Sequence, residues 1–235
     1  MQTRKIILLF GVVNASLYSA LLPLWEGFDE PFHYAYVETL WQTSRLPVLG
    51  RTLVPKDVFR SFRLAPVSYI VHRWIPEATS YDAWFSLPQA EKEQRRRGLE
   101  LIRPEPASSS RPNYEAHHPP LSYIPLALLD WSMSKAPITV RVLVLRLFAA
   151  VFSTVLLYFG STALCRTLEM PERFANATIF TVFCSEMLYA TIAHIANDWL
   201  AVGLSACSLP PSPSLSKNRI GDLRCAPRRG SRPGS

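Results

Sequence analysis

Glycine is scarce in this chain, 9 of 235 residues, and none gather into a phosphate-cradling loop or a dinucleotide fingerprint. Such loops need backbone without Cβ so that N–H groups can close on a phosphate. Their absence points away from a nucleotide-linked substrate. Cysteine is scarce as well: Cys165, Cys184, Cys207 and Cys225 follow neither a metal-ligand nor a disulfide-framework spacing, and read as small apolar residues and incidental thiols. A basic surface is lacking too. Of the formal charge of +7, the stretch from Cys207 to Ser235 supplies +5 (six Lys or Arg against one Asp), so no basic groove is left and nucleic acid is not an expected partner.

What the chain has instead is apolar runs, at residues 6–24, 138–165 and 175–195. A run of about 20 apolar residues is long enough to cross the hydrocarbon core. The expected fold class is therefore an all-α membrane protein, a multi-span helical bundle. Its membrane domain covers 1–206, with an outer loop over 26–137 that is partly helical. Asp198-Trp-Leu-Ala-Val-Gly-Leu-Ser-Ala206 reads as the stub of a further span. It runs abruptly into a Pro-, Ser- and Arg-rich tail, 207–235, that cannot bury enough apolar surface to order itself. The expectation is a truncated or frame-shifted product.

Arg4 and Lys5 precede the first run, which puts the N-terminus in the cytoplasm by the positive-inside tendency. Trp25 then falls at the far interface and the outer loop is extracytoplasmic. The segment 120–134 contains Pro125 and Asp130 and is only about 15 residues, short for a span. It is expected to lie along the outer surface, so that 138–165 runs inward, Arg166 to Arg173 forms a cytoplasmic turn, and 175–195 returns outward. Arg141 and Arg146 would snorkel or meet an anionic headgroup. Within the loop, a helix is expected at 30–41. Ser86-Leu87-Pro88-Gln89 resembles a capping box opening a polar helix to Ile102, and Arg103–Pro112 reads as a flexible connector.

That topology brings three polar clusters to one side. In Asp29-Glu30-Pro31-Phe32-His33, one carboxylate can cap a helix whose first position is Pro31, which leaves the other unexplained. Glu30 and His33 are three apart and share a helix face, an arrangement open to a proton relay or a cation. His117-His118-Pro119-Pro120 offers phosphate or hydroxyl contacts, although adjacent imidazoles diverge in a regular element. Asn197-Asp198 suits either an N-cap or a polar group at a cavity.

The ordered motifs carry a resemblance. A span ending in Trp25-Glu26 is followed by Asp29-Glu30-Pro31-x-His33-Tyr34-x-Tyr36 and His117-x-Pro119-Pro120-Leu121-x-Tyr123. Then come Val140-Arg141-x-Leu143-x-Leu145-Arg146-Leu147 and Asn197-Asp198-x-Leu200-Ala201. Together these resemble the membrane glycosyltransferases of the GT-C superfamily, in particular bacterial relatives of the protein O-mannosyltransferase and aminoarabinose-transferase group. The resemblance implies an inverting enzyme of the bacterial inner membrane that takes a sugar from a polyprenyl-phosphate donor to an extracytoplasmic hydroxyl. Asp29 and Glu30 would be the general base and the acceptor-orienting group. His33, His117, His118, Tyr123, Arg141 and Asp198 would contact substrate, with Arg51, Arg60 and Arg63 as further candidates for the phosphate. No cofactor is assigned, a divalent cation being the one candidate, and no metal ligands are named. The family carries many more spans than the three and a stub read here, so this chain is expected to be incomplete and inactive by itself. Two rivals stand beside it: a non-catalytic membrane scaffold or partner-binding protein, and a metal enzyme using Glu30, His33 and His117 or His118.

Overall fold

The computed structural model describes residues 2–208, and the tail from 209 on lies outside the described residues. The chain is mostly helical. It begins with α1 (Gln2–Leu21) and α2 (Glu30–Thr43), followed by β1 (Leu53–Pro55), α3 (Lys56–Ser61), β2 (Pro66–Val67) and α4 (Tyr69–Trp74). Then come β3 (Thr79–Ser80), α5 (Tyr81–Ser86), α6 (Gln89–Glu100), β4 (Ser108–Pro112) and two 3-10 turns, Tyr114–His117 and Pro120–Ser122. The helices α7 (Tyr123–Ser132), α8 (Ile138–Thr167), α9 (Glu172–Phe183), α10 (Glu186–Ile192) and α11 (Asp198–Ser208) complete it.

Two helices, α1 and α8, are long and apolar enough to cross a membrane. On α1 the small residues Gly11, Ala15 and Ser19 face inward, while Ile6, Leu9, Phe10, Val13 and Leu17 stay exposed. A stripe of that kind suits lipid and is unfavourable in water. The axis of the bundle is α8, with α1 and α11 packed along it. The α8–α11 approach is close because of glycine: a Cβ on Gly160 would sit 2.5 Å from the backbone carbon of Ala206, and one on Gly203 2.8 Å from Leu156. At 30 residues α8 is about 45 Å long, against a hydrocarbon core of about 30 Å. The surplus lies at its start, where Ile138, Val142 and Leu145 enter a core shared with Trp25, Phe32, Tyr34, Tyr123, Leu126 and Trp199.

The run 175–195 is not one span. It is α9 and α10, divided at Cys184–Ser185, where Ser185 turns to ψ 114. The Tyr189 hydroxyl donates to the Phe183 carbonyl at 2.6 Å, so a backbone acceptor released by the break is satisfied by a side chain. Neither half is long enough to cross the core alone. At the far end of the bundle Arg4 Nε lies 3.3 Å from Asn176 Oδ1 and 3.9 Å from Glu172. The starts of α1 and α9 are thus neighbours there, opposite the end that carries the loop.

That loop is a folded cap. In it α2 packs on α7, β1 pairs antiparallel with β4, and β2 pairs parallel with β3. The expected connector Arg103–Pro112 therefore contains a strand. The expected capping box is absent: Pro88 precedes α6 with no side-chain cap, and the Ser86 hydroxyl instead donates back to the Asp82 and Ala83 carbonyls in α5. Trp25 is fully buried in the cap core, its indole N–H donating to Ser61 Oγ at 2.8 Å, and is not an interfacial residue. Leu121, Ile124, Leu128 and Trp131 stay exposed at helical spacing on one face of α7 and the turn before it. Of these, Ile124, Leu128 and Trp131 border a groove of about 590 Å³ with Leu40, Trp41 and Leu46.

Candidate functional site

Three segments distant in sequence meet where the cap joins the bundle. Pro31 at the start of α2 fixes the first segment. The second is fixed by Asn113, which is fully buried: its amide donates to the Phe32 carbonyl at 3.0 Å and accepts from the Glu115 N–H at 3.1 Å. The first 3-10 turn is thereby capped and tied to α2. The third is the α10–α11 junction, where the Asn197 amide lies 3.4 Å from His118 Nδ1.

Asp29 occupies the N-cap position of α2 without capping it; its Oδ1 accepts from the Tyr114 hydroxyl at 2.5 Å. His33 is buried, its Nδ1 2.7 Å from the Tyr123 hydroxyl and its Nε2 3.7 Å from Glu115 Oε2. His118 Nε2 lies 2.6 Å from the same carboxylate oxygen. The chain leaves the 3-10 turn between His117 and His118, so the adjacent imidazoles do not diverge, and their ring centroids are 4.0 Å apart. Asp198, exposed at the first turn of α11, adds negative charge that acts on both His118 and Tyr123.

Burial sets the electrostatics. It pushes His33 down to about 3, helped by the neighbouring histidines, and lowers His118 as well, so both rings are neutral at pH 7. Glu115 is raised to about 7, first by burial and then by the Asp29 carboxylate. Tyr114 is raised by burial and by its bond to Asp29, and Tyr123 by burial and Glu115. A carboxyl held near 7 beside a neutral imidazole shares one proton with it, which is a working arrangement for general acid–base chemistry. Sequence reasoning did not pick out Glu115 as a site residue, because one carboxyl before a His pair has no spacing signature.

Two expected site residues are elsewhere engaged. Glu30 is fully buried and bound by Arg146: Arg146 Nε donates to Oε1 at 2.7 Å, Nη2 pairs with Oε2, and the Ile195 N–H donates to Oε1 at 3.0 Å. The same guanidinium donates to the Leu22 and Pro23 carbonyls at 2.5 and 2.8 Å, which satisfies the end of α1. Three of the four lone-pair sites of this carboxylate are taken by fixed donors and it is closed off from solvent, so it is not placed to orient an acceptor, and no hydrogen bond or ion pair joins it to His33. Arg141 is also fully buried, in a second knot. It pairs with both oxygens of Asp130 and lies 3.3 Å from Glu38, while Trp41 Nε1 donates to Asp130 at 2.7 Å and Gln42 to Glu38 at 2.6 Å. Neither arginine snorkels to a headgroup. Arg51, Arg60 and Arg63 are exposed on clefts bordered by Thr39 and Leu53, and by Phe59 and Glu105, apart from the histidines.

No protein-family profile, no curated protein and no solved structure matches this chain.

Proposed function

We propose that the cluster of Asp29, Tyr114, Glu115, His33, His118 and Asp198 is the acceptor side of a sugar-transfer site. It would serve an extracytoplasmic hydroxyl and a polyprenyl-phosphate-linked donor. The observation that carries this reading is the convergence itself: three polar segments, 29–33, 113–123 and 197–198, assemble a half-open acid–base group at one end of an apolar bundle. Asp29 is the base. It is half-buried, holds one hydroxyl donor, and keeps its second oxygen for an acceptor proton. Glu115, poised near 7, sits beside it as the group able to pass a proton on. The exposed apolar face of α7 and the adjoining groove give a lipid-linked donor a surface at the same end of the bundle. Placing that end outside follows the positive-inside tendency of Arg4, Lys5, Arg166 and Arg173 at the other.

The test is transfer from polyprenyl-phosphate sugars in proteoliposomes, run on this chain and on one continued through the sequence encoded downstream of Ala206. Asp29→Asn should lower turnover by about 100-fold or more, the usual worth of a positioned base. Transfer at the wild-type rate in Asp29→Asn removes the base assignment. Absence of transfer from both chains favours the scaffold alternative.

A further inference from the structure

The outer cluster has a second property that proton transfer does not use. One ligand-capable atom from each of Glu115, His117 and His118 lies within 4.8 Å of the others. His33 brings a further imidazole, its Nε2 3.7 Å from Glu115 Oε2 and its ring centroid 5.6 Å from that of His118. Ligand atoms around a tetrahedral zinc, each about 2.0–2.1 Å from the ion, sit about 3.3 Å from one another. The His33–Glu115 separation is close to that value. The His118–Glu115 separation of 2.6 Å is that of a hydrogen bond and has to open by about 0.7 Å to reach that spacing.

The outer partners are what distinguish this group from a chance meeting of histidines. Each of the three rings has its Nδ1 beside a fixed group: the Tyr123 hydroxyl for His33 at 2.7 Å, the Tyr114 carbonyl for His117 at 2.6 Å, and the Asn197 amide for His118 at 3.4 Å. A carbonyl accepts only from N–H, so His117 carries its proton on Nδ1 and its lone pair on Nε2. The Tyr123 hydroxyl can hold His33 in the same tautomer, whereas the atom facing His118 Nδ1 is the Asn197 amide nitrogen, a donor, so that amide has to turn its oxygen to the ring before His118 Nε2 is freed for a metal. Ligating histidines are oriented in this way, with the far nitrogen held by a carbonyl, hydroxyl or carboxylate.

We infer that Glu115, His118 and His33 or His117 form a binding site for a borderline-soft divalent cation of the zinc class. Two imidazole nitrogens and one carboxylate oxygen, with a position left open, suit zinc or cobalt, and suit magnesium or calcium poorly. The ligand set differs from the one expected from spacing, since Glu115 takes the place of Glu30. The inference does not rest on the transfer reading. Were both correct, the ion would set positive charge beside Asp29 that Arg141 and Arg146, spent on Asp130 and Glu30, do not supply.

The experiment uses the full chain in nanodiscs, without a histidine tag and in a Cys184→Ser, Cys207→Ser, Cys225→Ser background so that thiols do not compete. After chelator treatment it is titrated with zinc chloride, and separately with cobalt(II), whose visible absorption reports tetrahedral nitrogen and oxygen coordination. One zinc per chain is expected, with the affinity lowered at least about 100-fold by Glu115→Gln and by His118→Ala. Asn197→Ala, which touches no ion, should cost about 10-fold, within the range for an outer partner of a ligand. Far-ultraviolet circular dichroism of each variant shows that the helices are kept. Zinc bound equally well by Glu115→Gln and His118→Ala, or no zinc bound by the parent at micromolar concentration, overturns the site.

Discussion

The two arginines of α8 and the three histidines of the cap meet carboxylates in opposite ways. Around Arg146 and Arg141 the charges are closed off: Glu30, Glu38 and Asp130 are fully buried, each bonded to a guanidinium and to at least one further donor. Around His33, His117 and His118 the carboxylates are less closed off: Glu115 is buried between imidazoles, Asp29 is half-buried with one hydroxyl donor, and Asp198 stands exposed. A closed ion pair has no capacity left for a substrate. Its worth lies in what it fixes: Arg146 locks the end of α1, the start of α2 and the α10–α11 junction with one side chain. The outer cluster sits within that frame, its groups joined by single hydrogen bonds and imidazole contacts and not by a guanidinium.

The largest expected effect breaks the closed region. Arg146→Met leaves Glu30 buried without a counter-charge and should cost about 3–5 kcal/mol. The double variant Arg146→Met with Glu30→Leu should recover much of that loss, because no stranded charge remains. Thermal unfolding in one detergent, across the four proteins of the cycle, measures it. A single variant that unfolds at the wild-type temperature would mean that the knot is not closed.

A middle-sized effect divides the closed region itself. Burial raises Glu38 and Asp57 above their ordinary 4.5 and 3.8, and each lies within the other's field. The folded chain thus holds protons there that the unfolded chain releases. The stability they contribute is full below pH 4 and is lost as pH rises through the folded-state values. Asp57→Asn removes one carboxyl of the pair, so its unfolding free energy should fall less than that of wild type between pH 4 and pH 8, by on the order of 1 kcal/mol, as read from denaturant unfolding at each pH. Parallel curves for the two proteins would show that the carboxyls do not share a proton.

Part of this contrast was legible in the sequence. The three polar clusters, the helix opening at Pro31 and the short helix before Ile138 follow from proline positions, run length and charge placement, all of which are local. What was hidden is the pairing. Arg146 meets Glu30 across 116 positions and Arg141 meets Glu38 across 103, and an arginine in an apolar run reads as snorkelling when its partner cannot be seen. The break at Cys184–Ser185 carries no proline or glycine, and the side chain that accommodates it, Tyr189, lies beyond it. Strand β4 escaped notice because its pairing with β1 is set by the fold, and its residues are Ser, Arg and Pro.

The smallest effect is the sharpest, because it compares neighbours. Asp29→Asn keeps an oxygen to accept from the Tyr114 hydroxyl, and the position is open enough for water to serve the new amide. Its stability should stay within about 1 kcal/mol of wild type, the net worth of a weakened hydrogen bond. Glu30→Gln sits one residue on and also swaps an oxygen for an NH₂. There the new donor faces a guanidinium and a backbone N–H that both need an acceptor, with no water to intervene, and the loss should be about 3 kcal/mol. Denaturant unfolding of the pair in parallel decides it. A large loss in Asp29→Asn, equal to that in Glu30→Gln, would make the outer cluster as structural as the knot and remove the physical reason for treating it as a site.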